Sequence, residues 1–315
     1  MRIFIVPLNW GLGHATRCIP LVQRYLNDGA EVVLGGTGES LRLLRRYFPN
    51  LRYLELAPLE LRYSPGKRQV WAMLRALPQL WRFARTNRRM VELLTAHEHF
   101  DLIISDNCFG VYSDKCDCVY ITHQLHIMFP RPWRWLEPLA ARLHARAYAK
   151  YKEVWILDYA TDADSPLGFT LSGKLGHPKK TNINCQLSII NYIAPLSRFS
   201  LNSEAINPRS GLTSNSEAVQ TVAIVSGLEP HRTIFENELR ARFADAGESF
   251  VIYTGNSDIP VEVLLNAEHI IARSGYSTIM DLAALGVLHK AELHPTPGQT
   301  EQEYLARHIQ KYLHK

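Results

Sequence analysis

Strand-like and helix-like runs alternate along nearly the whole chain, and this order limits the fold more than any other feature of the sequence. Arg2–Leu8 is a β-type run that enters a glycine turn and then an amphipathic stretch ending at Asn27-Asp28-Gly29. Strand character returns at Glu31–Leu34, Leu51–Ala57, Asp101–Ser105, Val119–Thr122 and Glu153–Leu157. Helical patterns fill Ser40–Phe48, Lys67–Glu98 (broken near Pro78) and Trp133–Lys152. After a polar interval the alternation restarts. Thr221–Ser226, Phe250–Thr254 and His269–Ala272 read as strands, and Thr233–Ala246, Ser277–Leu285 and Gln299–Tyr312 as helices. A β-then-α order predicts parallel strands joined by crossover helices, hence an α/β fold with doubly wound sheets. Two Rossmann-like halves are expected, 1–165 and 221–315, facing each other across a cleft. Residues 166–220 are read as a linker and polar loop region, with one apolar run at Leu187–Ile193 and a surface loop over Asn202–Glu217. A length of 315 residues gives each half enough chain for its own core.

Composition narrows the function. No apolar run approaches the roughly 18 residues that a membrane-spanning helix needs, and the N-terminus shows no export signal. Five scattered cysteines suggest reduced thiols and a cytoplasmic protein. Cys116-Asp117-Cys118 has no second pair to complete a zinc site. The net charge of +5 is unevenly spread: 22 Lys/Arg stand against 14 Asp/Glu in residues 1–160, and 13 against 16 in residues 161–315. A basic N-terminal half points to an anionic partner. RNA-binding signatures are absent, so nucleic acid is not expected.

Chemistry-bearing residues gather after the strands. The first strand ends in Asn9-Trp10-Gly11-Leu12-Gly13-His14-Ala15-Thr16-Arg17, where Gly11 and Gly13 allow close approach of a ligand to a helix N-terminus. Pro20 is expected in that helix's first turn. The segment is not a dinucleotide fingerprint: Thr16 takes the third glycine position and Gly35-Gly36, not an acid, ends the second strand. Asp106 and His123 follow two other strands of the same sheet. Carboxyl ends of parallel strands lie on one side, so His14, Asp106 and His123 are expected to converge, and a histidine suits removal of a hydroxyl proton. Each of the three has an ordinary structural reading when taken singly.

In the second half, Ser226-Gly227 precedes a helix whose N-terminus suits phosphate, with Arg232 as a charged partner. Arg273-Ser274-Gly275-Tyr276-Ser277-Thr278 follows another strand. There Ser277 or Thr278 is expected to cap the helix, and Asp281 lies a turn inside it. Gln299 and Gln302 belong to a rigid polar loop entering the last helix. Asp162-Ala163-Asp164 has the form of a metal-diphosphate motif but lies in the polar interval, where solvation explains it. The stretch 67–89 mixes seven basic residues and no acid with Trp71, Met73, Leu74, Leu77, Leu80, Trp81 and Phe83. It is read as an apolar stripe packed on the sheet with solvated arginines. Phe129-Pro130-Arg131-Pro132-Trp133-Arg134-Trp135 is read as a membrane-surface patch.

Together, Gly11–Arg17, Ser105-Asp106-Asn107, Thr122-His123-Gln124-Leu125, Gly227–Arg232, Arg273–Thr278 and Pro297-Gly298-Gln299-Thr300-Glu301-Gln302 resemble the GT-B glycosyltransferases. Within that group they are most similar to family 28, the MurG type, which adds N-acetylglucosamine to lipid I. The likeness spans the chain apart from roughly 158–219. Leu228 and His231 stand where Pro and Gln are expected, and Ala194 where Gly is. Val287–Leu293, with His289, Lys290 and Glu292, is poor in apolar content for a doubly covered strand. In the family a further helix follows the Gln-bearing loop, so a shortened C-terminal unit is expected.

The resemblance implies a nucleotide-sugar donor, a UDP-sugar, on the C-terminal domain. It implies a glycosyl acceptor, with a lipid-linked one among the candidates, on the N-terminal domain, and no metal. Asp281 would meet the ribose hydroxyls, Gln302 the donor sugar, and Ser226 and Gly227 the phosphates. The implied chemistry is hexosyl transfer with inversion, the base being His14, Asp106 or His123, on a cytoplasmic protein peripheral to the membrane. Two rivals share the architecture: a nucleotide-sugar epimerase, which needs no acceptor, and a non-catalytic sugar-nucleotide-binding protein.

Overall fold

The computed structural model describes residues 1–59, 69–177, 189–199, 220–254 and 259–313, with side chains except for 69–74 and 248. The surface loop expected at Asn202–Glu217, Cys185, and Lys67 and Arg68 of the basic stretch lie outside what is described, as do the side chains of Trp71, Met73 and Leu74.

Two parallel sheets form. In the first, β1 (Arg2–Pro7) lies between β2 (Glu31–Gly36) and β4 (Leu102–Asp106). β3 (Arg52–Glu55) closes one side, and β5 (Asp117–Thr122), β6 (Glu153–Leu157) and β7 (Ile189–Ile193) extend the other, in the order β3-β2-β1-β4-β5-β6-β7. The second sheet has the order β11-β10-β8-β9, from β8 (Thr221–Val225), β9 (Phe250–Thr254), β10 (His269–Arg273) and β11 (Ala291–His294). Ile3–Val6, Ile103 and Ile104 are completely buried, as in parallel sheets covered by helices on both faces.

The structure revises several boundaries. β7 pairs in parallel with β6, so the first sheet reaches into the stretch assigned to the linker. β11 does form, and its polar content is accounted for by its place at the edge of the sheet, where Glu292 pairs with Arg242, His269 and His294. Helix α1 (Gly13–Asn27) begins at Gly13, which puts Pro20 well inside it rather than in the first turn. Helices α2 (Gly38–Tyr47) and α3 (Gln69–His97) follow; α3 runs through Pro78 unbroken. Helix α4 (Glu137–Tyr148) is preceded by a 3-10 turn over Arg131–Leu136. Helices α5 (His231–Arg242), α6 (Val261–Asn266), α7 (Tyr276–Ala284) and α8 (Thr300–Leu313) serve the second sheet. The short α6 had no distinctive sequence signal.

One hydrophobic cluster joins the halves, with Ile5, Leu157 and Phe169 of the first in a single buried group with Val222, Tyr276 and Leu305 of the second. Helix α8 itself returns to the first half. Tyr312 stacks on Phe169 at 4.5 Å, His308 Nε2 donates to the Thr170 carbonyl at 2.6 Å, and the Lys174 amide donates to Tyr304 Oη at 2.8 Å. The loop that receives α8 is organised by Asp158, which accepts the amides of Tyr159, Leu171 and Ser172. Asp162 accepts the Thr170 amide at 2.8 Å and Asp164 the Thr161 hydroxyl at 2.7 Å, so this pair of carboxylates serves the loop's own conformation.

Candidate functional site

The register of the first sheet fixes the site. Pro7 of β1 lies beside Asp106 of β4, and Asp106 beside Ile121 of β5, so three carboxyl ends finish level. The first turn of α1 rises over this edge. His14 and Arg17, three residues apart, share one helix face and point at the same carboxylate. His14 Nδ1 stands 3.0 Å from Asp106 Oδ1. Arg17 grips Asp106 with both ends of its fork, through Nε to Oδ2 at 2.6 Å and through Nη2 to Oδ1. Arg17 Nη2 is also 2.8 Å from His14 Nδ1, and Nη1 is 3.1 Å from His123 Nδ1. Thus the three residues expected to converge do converge, and Arg17, quoted in the motif but given no role, joins them.

Their electrostatics separate them. Asp106 is completely buried. Burial alone would raise its pKa, but the Arg17 charge, His14 and their hydrogen bonds reverse this and hold the carboxyl well below the usual range. With both oxygens engaged by Arg17, Asp106 is placed to orient its neighbours, not to take a substrate proton. His14 is shifted down, first by burial and then by the Arg17 charge, with Asp106 opposing, which favours the neutral ring. His123 is committed on both nitrogens, Nδ1 to Arg17 and Nε2 to Glu301 Oε1 at 2.8 Å, and its ring stacks on Tyr276 at 4.4 Å. His123 is therefore not free to act as the base either. Among the described residues, His14 Nε2 is the one ring nitrogen of the pair with no bonded partner.

The second half meets this edge directly. The α7 N-cap residue is Gly275 and no side chain caps the helix; Ser277 instead donates its hydroxyl across the cleft to the Gly13 carbonyl at 3.1 Å. A Cβ at Gly13 would lie 2.6 Å from Ser277 Oγ, so a larger residue there would have to displace the Ser277 hydroxyl from its bond across the two helix ends. Tyr276 Oη donates to the Leu157 carbonyl. Thr278 lies in the same first turn, half-buried.

Other predicted residues are drawn into local structure. Arg273 is buried with its guanidinium over Phe235 at 3.9 Å and bonds the carbonyls of Pro295 and His231 at 3.1 Å each; its Nε has no partner. Ser274 donates to the Gln302 carbonyl at 2.9 Å, and Gln302 Oε1 accepts the Thr296 amide at 2.8 Å. The Gln299 amide bonds the Thr296 carbonyl at 3.0 Å. Arg232 pairs with Glu229 at 2.8 Å. Ser226 and Gly227, the latter at φ +109°, form the turn between β8 and α5. Asp281 accepts the Ser197 hydroxyl at 2.6 Å and faces Arg198 Nε at 3.5 Å, and burial pushes its pKa up to about 6. Sequence reasoning passed over Glu301, Ser197 and Arg198. Glu301 lay inside a quoted motif, whereas the last two lie in a loop without periodicity.

With this geometry in view, the comparisons with solved structures are informative. A Polygonum tinctorium UDP-glucosyltransferase capable of glucosylating indoxyl superposes with a TM-score of 0.57 at 13% identity, covering 99% of this chain and 83% of that one. A Phytolacca americana UGT complexed with UDP-2fluoro-glucose and pterostilbene gives 0.54 at 12%, over 99% and 83%. The glycosyltransferase SnogD from Streptomyces nogalater gives 0.50 at 15%, over 100% and 95%. The fold is GT-B. Sequence alone finds less: no family model matches, and no curated protein is similar. At such identities the GT-B likeness is one of architecture.

Proposed function

We propose that this chain is an inverting glycosyltransferase that moves a hexose or N-acetylhexosamine from a UDP-sugar, held by the second half, to a hydroxyl presented by the first. The observation that carries the reading is the placing of a half-buried histidine, His14, whose pKa is shifted down, beside an Arg17-anchored carboxylate, opposite the N-terminus of α7. The base needs a lone pair near neutral pH. With its Nδ1 proton on Asp106, His14 offers Nε2 to an acceptor hydroxyl. The hydroxyl oxygen attacks the anomeric carbon, the bond to the diphosphate oxygen breaks, and His14 keeps the proton.

The departing charge would be met by the turn at Ser226-Gly227 and the N-terminus of α5, and by the first turn of α7 at Gly275–Thr278. Asp281 is the candidate for the ribose hydroxyls, its contact with the Ser197 hydroxyl having the same chemistry. Gln299 and Gln302 line the approach to the sugar. No residue role in this scheme calls for a metal.

The motif resemblance to the MurG type supports a lipid-linked acceptor, and one surface fits it. Trp135 (71% exposed), Leu139 and Leu143 follow one another at helical spacing along the turn before α4 and α4 itself. Arg131, Arg134, Arg142 and Arg146 flank them in exposed positions. Leu77 and Trp81 of α3 are exposed too, so the apolar stripe of that helix is only partly packed on the sheet. No described helix is long and apolar enough to cross a membrane. Flotation with vesicles containing anionic lipid should carry the wild type, whereas Trp135→Ser with Leu139→Ser should stay in the dense fraction; equal flotation rejects the surface.

The central test is calorimetric titration with UDP, GDP and TDP followed by donor-turnover assays. UDP should bind, and His14→Ala should cut turnover by about a hundredfold or more with UDP affinity retained. Unchanged turnover in His14→Ala removes the histidine from the role of base. Product made without acceptor would favour the epimerase instead, and UDP binding with no donor consumed, the binding protein.

A further inference from the structure

Four free cysteines lie among the described residues, and two of them differ from the rest. Cys18 and Cys108 are sealed in the core at 1% and 3% exposure, and burial raises both thiols. Cys116 is half-buried, just before β5, and Cys118 is buried within that strand. Asp117 alone separates them, and its carboxylate is paired with Lys152 at 2.6 Å. Asp117 opens β5, and alternate residues of a strand share a face, so both thiols pack on the same hydrophobic cluster. Two residues of strand advance about 6.6 Å, inside the range of Cα separations that a disulfide spans.

The two sulfurs are within bonding reach of each other in unequal surroundings. Contact with Cys116 lowers the Cys118 thiol, helped by the Ser113 amide and the Arg88 charge and opposed by burial. The same contact raises Cys116. Cys118 Sγ is served in either protonation state. As a thiol it donates to the Ser113 carbonyl at 3.3 Å; as a thiolate it accepts from the Ser113 amide at 3.2 Å and from the Cys116 thiol. Cys116 also lines a cavity of about 290 Å³, with Thr95, His97, His99 and Lys115 beside it, so the pair opens to solvent through one of its sulfurs. The cavity lies at the amino end of β5. Cys118 is in register with Ile103, whereas Asp106 is in register with Ile121 at the other end of the strands.

We propose that Cys116 and Cys118 form a redox-sensitive dithiol that a peroxide entering this cavity converts to a disulfide. Cys116 passes its proton to Cys118 Sγ and attacks a peroxide oxygen. The O–O bond breaks, Cys116 becomes a sulfenic acid, and the departing hydroxide takes a proton to become water. Cys118 then attacks the Cys116 sulfur. The S–S bond forms, the S–O bond breaks, and the hydroxyl leaves as a second water with the Cys118 proton. Two thiols lose two electrons and hydrogen peroxide gains them. Cys118 can play both parts because its sulfur has a partner whether or not it carries the proton. This chemistry is independent of sugar transfer.

Mass spectrometry reads the outcome on the full chain. After stoichiometric hydrogen peroxide, the chain is unfolded in iodoacetamide and digested. The peptide carrying Cys116 and Cys118 should have lost two hydrogens and taken up no iodoacetamide, and dithiothreitol should restore both thiols. Cys18 and Cys108 should remain alkylated, oxidising at least about tenfold more slowly. In Cys118→Ser, which lacks the resolving sulfur, Cys116 should stop at the sulfenic acid and be trapped by dimedone. In Cys116→Ser, Cys118 should stay reduced. Wild-type Cys116 and Cys118 both found alkylated, or two oxygens added to Cys116 with no disulfide, would overturn the proposal. So would oxidation of Cys18 and Cys108 at the same rate. The wild-type masses decide by themselves if Cys118→Ser does not fold.

Discussion

The two halves each bury an aspartate at the cleft, and the two carboxylates behave oppositely. Asp106 in the first half is completely buried and its carboxyl is held far below the ordinary range, whereas Asp281 in the second, 8% exposed, is pushed up to about 6. Burial raises both, so burial does not explain the difference. Geometry does. Asp106 faces a guanidinium that meets both its oxygens through two donors and also receives His14. Asp281 has one neutral hydroxyl, from Ser197, the backbone amide of Arg198, and that residue's guanidinium at 3.5 Å, whose Nε is too poorly aligned to bond. The first arrangement stabilises a fixed anion and freezes the groups around it. The second leaves a carboxylate under-satisfied, which is the condition expected of a group whose better partner is a ligand.

The largest effect should come from removing the satisfied carboxylate. Asp106→Asn would leave the Arg17 guanidinium, 2% exposed, facing a neutral amide. Breaking a buried pair from one side costs about 3–5 kcal/mol because the remaining charge is uncompensated. Urea unfolding should show the midpoint falling by that equivalent with an unchanged slope. A loss below about 1 kcal/mol would mean that Arg17 finds another anion, and the contrast between the two halves would fail.

Much of this contrast was legible in the sequence, and the part that was not has physical reasons. The alternation of strands and helices gave both sheets, and parallel strands bring their carboxyl ends to one edge, so His14, Asp106 and His123 were brought together by topology. Their roles were not legible. Asp106 and His123 are removed from the role of base by contacts with Arg17 and Glu301, and the second of these lies 178 residues away from its partner. Arg17 was within reach, because a residue three positions from His14 on a helix shares its face. Ser197 was beyond reach, since it stands in an irregular segment after β7, and the sequence showed no period to say which way it turns. The edge position of β11 was hidden for a related reason: strand content reveals burial, and an edge strand is not buried on the side where Glu292 lies.

A smaller effect, of opposite sign, should come from Asp281. Its folded pKa of about 6 lies above the ordinary aspartate value of 3.8, so the folded state holds the proton more tightly than the unfolded chain does. Stability therefore rises as pH falls through that window, and above pH 6 the full cost of the buried charge is present, up to about 3 kcal/mol. Asparagine keeps the shape and cannot ionise. Asp281→Asn should be more stable than wild type by up to that amount at pH 8, and the gap should close between about pH 6 and pH 4. Asp106 predicts the reverse, since its contribution is present above pH 3.8 and fades only in stronger acid. Thermal or urea unfolding of wild type and Asp281→Asn across pH 4 to 8 separates the cases. A gap that stays flat, or favours wild type at pH 8, would mean that Arg198 neutralises Asp281 as fully as Arg17 does Asp106. The carboxylate offered to a ribose would then already be satisfied, and a ligand would gain little by displacing Ser197.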